Sequence, residues 1–319
     1  MATYYGTYGQ KVQYLASDPS DPQIGQVWYN STSAVLKVRS ATTSGTWAAG
    51  GNLSTARQEL SGCGTQTAGL AFGGDPAPTS TSTEEYDGSS WSGGGSMNSG
   101  RGNLAGCGTQ TAALAFGGTP VAGQTESYNG TSWTSSPNSM NTARTQLGGA
   151  GTQTAALGFG GYGPGSAETE SWNGTAWTTL PATMNTARRL LSAAGLQTSA
   201  LAFGGGPPNT AATESYNGTS WTSVNSMNTA RRTAGGTGTQ TAALGFGGYT
   251  TVNSAATELW NGTSWTSNPN NMATARSSLG EAGTQTAGLA FGGYSTAVTA
   301  ATEEFTGPGV GETKTVTVS

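Results

Sequence analysis

The sequence predicts an all-β chain built from one repeated four-stranded module, on three observations. The triplet Phe-Gly-Gly begins at Phe72, Phe116, Phe159, Phe203, Phe246 and Phe291, at intervals of 44, 43, 44, 43 and 45 residues. An arginine recurs with the same five intervals, at Arg57, Arg101, Arg144, Arg188, Arg231 and Arg276, and a tryptophan forms its own series at Trp47, Trp91, Trp133, Trp177, Trp221 and Trp265. A fixed period of this length marks an array of supersecondary units. No segment sustains the 3.6-residue spacing of an amphipathic helix, and the longest loops are rich in Gly and Pro.

The strands of a module follow in order. After the arginine, a small-residue segment such as TQLGGAG supplies the first strand, TQT turns the chain, and AALGFGG forms a second strand that its two glycines end. A variable loop leads to ETESWNG, a third strand with Glu170 and Trp172 on one face. Its closing Asn-Gly is the pair expected where a two-residue hairpin needs positive φ at both central residues. In the first module Asp87-Gly88 takes the same place, so turn chemistry is the simpler reading of the Asn-Gly-Thr sequons at Asn129, Asn173, Asn217 and Asn261. The fourth strand begins at the tryptophan.

A unit of this size cannot bury its apolar face alone, and an open row of such units leaves pairing edges at both ends. Closure into a six-bladed β-propeller removes both problems. The chain enters the pattern with a fourth strand around Trp47 and leaves it on the third strand TEEFTG. The Trp47 strand is therefore expected to complete the last blade, made by residues 277–306; KTVTVS, Lys314 to Ser319, is the rival closing strand. Residues 1–45 form a leader, 46–306 the propeller and 307–319 a C-terminal tail. Within the leader, Gln26 to Asn30 and Val35 to Arg39 alternate in polarity and predict a β-hairpin; the Tyr-rich start ahead of it is expected to order only against a partner.

Composition narrows the function. Charged residues make up 9% of the 319 and the net charge is −4, which offers no general attraction for nucleic acid or an anionic membrane. No run of about 18 apolar residues is present, so membrane insertion is not expected, and the N-terminus lacks the pattern of an export signal. The chain contains no histidine, which removes Ser-His-Asp and Cys-His catalysis and nearly all imidazole metal sites. Glu84, Glu126, Glu170, Glu214, Glu258 and Glu303 recur once per module, the mark of a structural residue that pairs with the repeated Arg or with backbone amides. The off-pattern acids Glu59, Asp75, Glu168 and Glu281 are dispersed. No catalytic residue, metal site or cofactor is expected, and the chain does not read as an enzyme. Cys63 and Cys107 fill a slot that elsewhere holds Ala or Thr, which suggests small packed residues rather than a disulfide.

The double glycine after an apolar strand, the aromatic about twelve positions later, the Trp about five beyond and the Arg ten further on resemble the kelch repeat of kelch-type propellers. The resemblance covers residues 46–306, although the usual apolar strand residues are thinned to Ala, Gly and Thr and Asn103 to Gly106 depart from the ordinary post-Arg sequence. The leader pattern IGQVWYN…VLKV and the GTQTAALAFGG repeats resemble tail-fibre and other virion proteins of marine bacteriophages. That resemblance implies a tail-fibre, appendage or decoration subunit, made in the host cytoplasm, carried in several copies on the particle and used for host attachment.

In this reading the leader docks on other virion proteins through Trp28, Tyr29 and Leu36. The loops between second and third strands carry the protein's individuality and face a host-surface glycan or protein. Tyr162, Tyr249 and Tyr294 share one loop position, where they either stack on a ligand or cover the Gly-Gly beneath, and Arg189 and Arg232 add charge on the same face. The six tryptophans and six repeated arginines form the framework. A multivalent lectin with sixfold sites between blades, a kelch adaptor for protein partners and, more remotely, a glycan hydrolase are the alternatives.

Overall fold

The computed structural model of the chain describes residues 12–41, 44–75, 80–120, 123–164, 166–309 and 311–316. The Tyr-rich start, the end of KTVTVS and parts of the variable loops at 75–83 and 119–124 lie outside the described residues. The described residues contain strands and turns and no α-helix. They divide into two compact units, Thr46–Phe305 and Met1–Gly45 with Thr306–Ser319.

The larger unit consists of repeated four-stranded antiparallel sheets, an arrangement consistent with a β-propeller. In the third repeat the strands Gly148–Thr152, Ala155–Phe159, Thr169–Trp172 and Trp177–Thr179 lie in chain order, with Phe159 opposite Thr169 and Trp172 opposite Trp177. The last sheet alone draws on distant segments: Gly280–Gly283, Ala287–Phe291 and Thr302–Thr306 are followed by Thr46–Ala49, the Trp47 strand. Its rival, Gly311–Val316, pairs instead with Val35–Ala41 in the smaller unit.

Thinned strand residues follow from how closely the sheets approach. The core lies between consecutive sheets, where Phe116 of one repeat meets Leu147 and Trp177 of the next. A Cβ on Gly149 would stand 2.9 Å from Phe116 Cζ, so the facing position stays small. The Phe-Gly-Gly landmark has a related cause. Gly117 sits at φ 68°, and a Cβ there would lie 2.7 Å from Arg144 O; the neighbouring Gly118 N–H donates to that same carbonyl at 3.0 Å. The glycines thus tie each repeat to the arginine loop of the next.

Three further linkages repeat around the unit and return to their start. Each tryptophan indole reaches back to a threonine of the preceding repeat: Trp177 to Thr125 at 2.9 Å, Trp91 to Thr302 at 3.0 Å and Trp47 to Thr257 at 2.9 Å. Each turn glutamine donates to the preceding sheet, as Gln110 does to Gly69 O and Tyr86 O at 3.1 and 2.7 Å; Gln66 does so to Gly288 O and Phe305 O of the last repeat at 3.1 and 2.8 Å. These glutamines, read from the sequence as turn residues of TQT, also satisfy carbonyls of the preceding sheet. Finally, the N–H of Glu59 donates to Ser278 O, Ser278 to Thr233 O, Thr233 to Leu190 O, Leu190 to Gln146 O, Gln146 to Asn103 O and Asn103 to Glu59 O, all at 2.8–3.0 Å. Those six bonds form a closed cycle. All six residues adopt positive φ, between 52° and 59°, which turns each N–H toward its neighbour.

Two expectations are corrected. The described residues form seven four-stranded sheets, not six: the predicted hairpin, Val27–Asn30 with Val35–Ala41, gains Gln13–Leu15 in parallel on one edge and Gly311–Val316 on the other. A lone two-stranded hairpin is marginal in water, and the added strands cover its edges. The Asn-Gly connection is also not a two-residue turn. Tyr128 pairs with Trp133, leaving a four-residue loop in which Gly130 has φ 91°, while Asn129 Oδ1 accepts the N–H groups of Thr131 and Ser132 at 3.0 and 2.9 Å. Asparagine serves here through its side chain, as an Asx turn.

Candidate functional site

The framework arginines do not reach solvent. Arg57, Arg101, Arg144, Arg231 and Arg276 are fully buried and Arg188 nearly so. Arg144 shows the pattern: Nη1 donates to Gly160 O and Glu168 O at 2.9 and 2.8 Å, and Nη2 to Glu170 Oε1 at 2.8 Å. Glu170 Oε2 in turn accepts the N–H of Asn141 at 2.7 Å. Each arginine pairs with the glutamate of its own module, Arg57 with Glu84 and Arg276 with Glu303 among them. Burial pulls the Arg276 guanidinium down to about 10, against the opposing effect of Glu303. A pair so enclosed holds loops together; the arginine Nε atoms have no hydrogen-bond partner, but they are buried away from the surface.

The framework tryptophans are equally committed, each ring against a phenylalanine of the preceding repeat at 4.8–5.1 Å, Trp177 on Phe116 and Trp47 on Phe246 among them. Trp133, Trp177, Trp221 and Trp265 are buried; Trp47 and Trp91 are half-buried.

The loop residues are placed differently. Tyr162, Tyr249 and Tyr294 each form a bridge with the residue after a framework arginine, Thr145, Arg232 and Ser277 respectively. Tyr162 is 58% exposed and Tyr294 41%. The Arg189 guanidinium lies over the Tyr162 ring at 4.4 Å, across a repeat boundary, and that of Arg232 over its own bridge partner Tyr249 at 4.6 Å. The two stacks are not equivalent. Arg232 Nη1 donates to Asn209 Oδ1 at 2.9 Å, whereas the Arg189 side chain makes no hydrogen bond or ion pair among the described residues. Tyr294 has no cation over its ring among them.

Tyr162 and Arg189 line a cleft of about 440 Å³ with Thr186, Pro207, Pro208 and Arg188. Arg188 departs from the framework pattern there, bonding Ala202 O at 3.3 Å and Thr186 O at 3.4 Å beside its glutamate. No carboxylate lines the cleft among the described residues. A half-buried, uncommitted guanidinium held over an exposed ring is suited to a carboxylate or another planar anion.

In the smaller unit, Trp28 is buried and its indole donates to Asp18 Oδ1 at 3.0 Å, so this side chain belongs to the unit's interior and is not offered to a partner. Tyr29 stacks on Tyr14 at 5.0 Å, and Tyr29 and Leu36 are both half-buried. Among the described residues of this unit, the large apolar side chains that are exposed are Val12, Tyr14, Ile24 and Val316. Lys37, Asn30 and Trp28 hold the Asp18 carboxyl down at about 2.

Sequence reasoning missed a second site. The first strands, Ser61–Thr65, Ala105–Thr109, Gly148–Thr152, Ser192–Leu196, Gly235–Gly238 and Gly280–Gly283, neighbour one another in order, and the last neighbours the first. They line a cavity at which one equivalent strand position holds Gly62, Gly106, Gly149, Ala193, Gly236 and Glu281. The substitution of glutamate into a glycine and alanine slot was visible in the repeat alignment. Its meeting with Glu59 at the cavity mouth was not.

Comparison with models of protein families and with curated proteins finds no match to this chain.

Proposed function

We propose that the chain is a non-catalytic bacteriophage virion subunit, a tail fibre, appendage or decoration protein. A six-bladed, kelch-type propeller displays its loop face toward the host, and the smaller unit joins the particle. The closed cycle of six backbone bonds and the wrap-around contacts of Trp47 and Gln66 support a ring of six blades, with the seventh sheet belonging to the leader. The observation that carries the binding role is the uncommitted Arg189 guanidinium stacked on exposed Tyr162, in a loop region that varies while the framework repeats. An acidic glycan fits this chemistry: the carboxylate meets Arg189 and a sugar face meets the aromatic ring.

A glycan array tests the reading. The full chain is expected to bind carboxylated glycans and Arg189→Ala to lose at least tenfold in affinity; equal binding of neutral and acidic glycans, or an unaffected variant, refutes it. Mass spectrometry of purified particles tests incorporation separately. The lectin alternative calls for sixfold sites. It is less well supported, because the aromatic and arginine stack occurs in two repeats and is uncommitted in one.

A further inference from the structure

The smaller unit is a single layer with one face uncovered. Its strands Gln13–Leu15, Val27–Asn30, Val35–Ala41 and Gly311–Val316 lie side by side in that order, and successive residues of each point to opposite faces. On one face Trp28 and Asn30 are buried and, with Lys37, bond Asp18 from the segment ahead of the hairpin. On the other, two rows of side chains cross the sheet. Tyr14 stands opposite Tyr29, Tyr29 opposite Leu36 and Leu36 opposite Val316. Two positions along, Val27 stands opposite Val38 and Val38 opposite Lys314, and Val12, two residues before Tyr14, extends this row. Seven of these eight side chains are apolar or aromatic, and Lys314 is the one charge among them. None is buried: Tyr14 is 74% exposed, Val12 45% and Val316 39%, and Val27, Tyr29, Leu36 and Val38 are half-buried. A sheet face of this composition packs on a second layer, and left in water it marks an interaction surface.

We propose that this face binds its counterpart on a second copy of the chain, the two sheets stacking into a sandwich about a two-fold axis parallel to the strands. Such an axis sets the first strand of each sheet over the last strand of the other, and the second over the third. The large rings of Tyr14 and Tyr29 then lie over the smaller Val316 and Leu36 of the second copy. Lys314 rests its stem on Val12 across the interface and reaches the exposed Tyr14 ring with its ammonium. The face thus complements itself in size and in its one charge, and this selects a copy over an unlike partner. Tyr29 and Leu36, expected from the sequence to dock on other virion proteins, are engaged by the same chain. Four strands about 4.8 Å apart and two rows about 7 Å apart bury on the order of 400–500 Å² of each copy. That area is at the low end for specific interfaces, so the dimer should be reversible, with a Kd on the order of tens of micromolar. No residue of the face lines the Tyr162 cleft, so either site can hold without the other.

Sedimentation velocity of the full chain, from micromolar to submillimolar concentration, tests the pairing. A reversible shift from monomer to dimer is expected. Leu36→Asp at the centre of the face and Tyr14→Asp at its most exposed position should each weaken the dimer about tenfold or more. Ile24→Asp, at a side chain 56% exposed but outside the two rows, should leave it unchanged. Should Leu36→Asp unfold the small sheet, Tyr14→Asp decides, since that side chain already faces water. The axis is read by cross-linking with a short bis-maleimide, which the native thiols escape because Cys63 and Cys107 are buried. A mixture of Tyr14→Cys and Val316→Cys copies should yield covalent dimers, and neither variant alone should, because like positions then stand at opposite edges of the sandwich. A chain that stays monomeric throughout, a dimer indifferent to both aspartates, or a dimer whose mixed variants do not cross-link overturns the proposal. So does a monomer that binds a different virion protein through Tyr14 and Leu36, which assigns the face to that partner. Loss of particle incorporation with the dimer intact counts against the virion reading alone.

Discussion

Arg144→Met probes what the repeated arginine and glutamate accomplish. The substitution keeps an unbranched apolar stem and removes three bonds: to Gly160 O, Glu168 O and Glu170 Oε1, at 2.9, 2.8 and 2.8 Å. Breaking a buried ion pair from one side costs about 3–5 kcal/mol, and Gly160 O left unpaired adds about 1–3 kcal/mol, whereas Glu168 O keeps the Gly160 N–H at 3.2 Å. Glu170 retains the N–H groups of Asn141 and Thr142 and so keeps part of its stabilisation. The expected loss is about 4–6 kcal/mol, a large share of the 5–15 kcal/mol that holds a domain folded. Adding Glu170→Met removes the stranded charge but orphans those two amides. The double variant should therefore fall about 2–3 kcal/mol short of the sum of the singles, yet stay well below the parent chain. Urea unfolding followed by tryptophan fluorescence measures all three. A loss under about 1 kcal/mol for Arg144→Met, or additivity within about 0.5 kcal/mol, would show that the pair does not staple the loops.

Glu281 imposes a pH dependence on stability. Its carboxyl titrates at about 8 folded and near its ordinary value of 4.5 unfolded, so the folded state holds the proton more tightly. This contribution is complete below about pH 4.5 and is lost as pH rises toward 8. After allowance for water in the cavity it amounts to about 1–3 kcal/mol, and thermal melts of Glu281→Gln should show that slope removed. Trp47→Ala strips the last sheet of contacts with Phe246 and Phe305, both at 5.1 Å, and of the bond to Thr257; a loss of about 2–4 kcal/mol is expected in the same urea assay, and a neutral result would separate the Trp47 strand from closure. Burial pushes the Cys107 thiol up to about 12 and Cys63 well above its ordinary value, so a thiol reagent at pH 8 should modify neither in the native chain and both in urea.

The period of 43–45 residues determined by itself that the fold repeats, where the strands of each repeat lie and which residues recur as framework. Those properties are local, because polarity alternation, the Phe-Gly-Gly stop and the tryptophan start each act within one module. Pairing of Glu170 with Arg144 also left its trace, since a charge repeated at every module needs a partner repeated as often. Tertiary structure decided the rest. Trp28 reads as a docking residue of the leader and is found buried, its indole bonded to Asp18 ahead of the hairpin. The turn glutamines look local and bond across sheets. Arg189 and Arg232 follow the same landmark, yet only the packing of Asn209 commits one and leaves the other free. Glu59 and Glu281 stand 222 positions apart in the chain and line one cavity, since the first and last modules are neighbours in space. A repeat specifies what each copy contains; where its irregular residues meet depends on how the copies assemble, which no single module encodes.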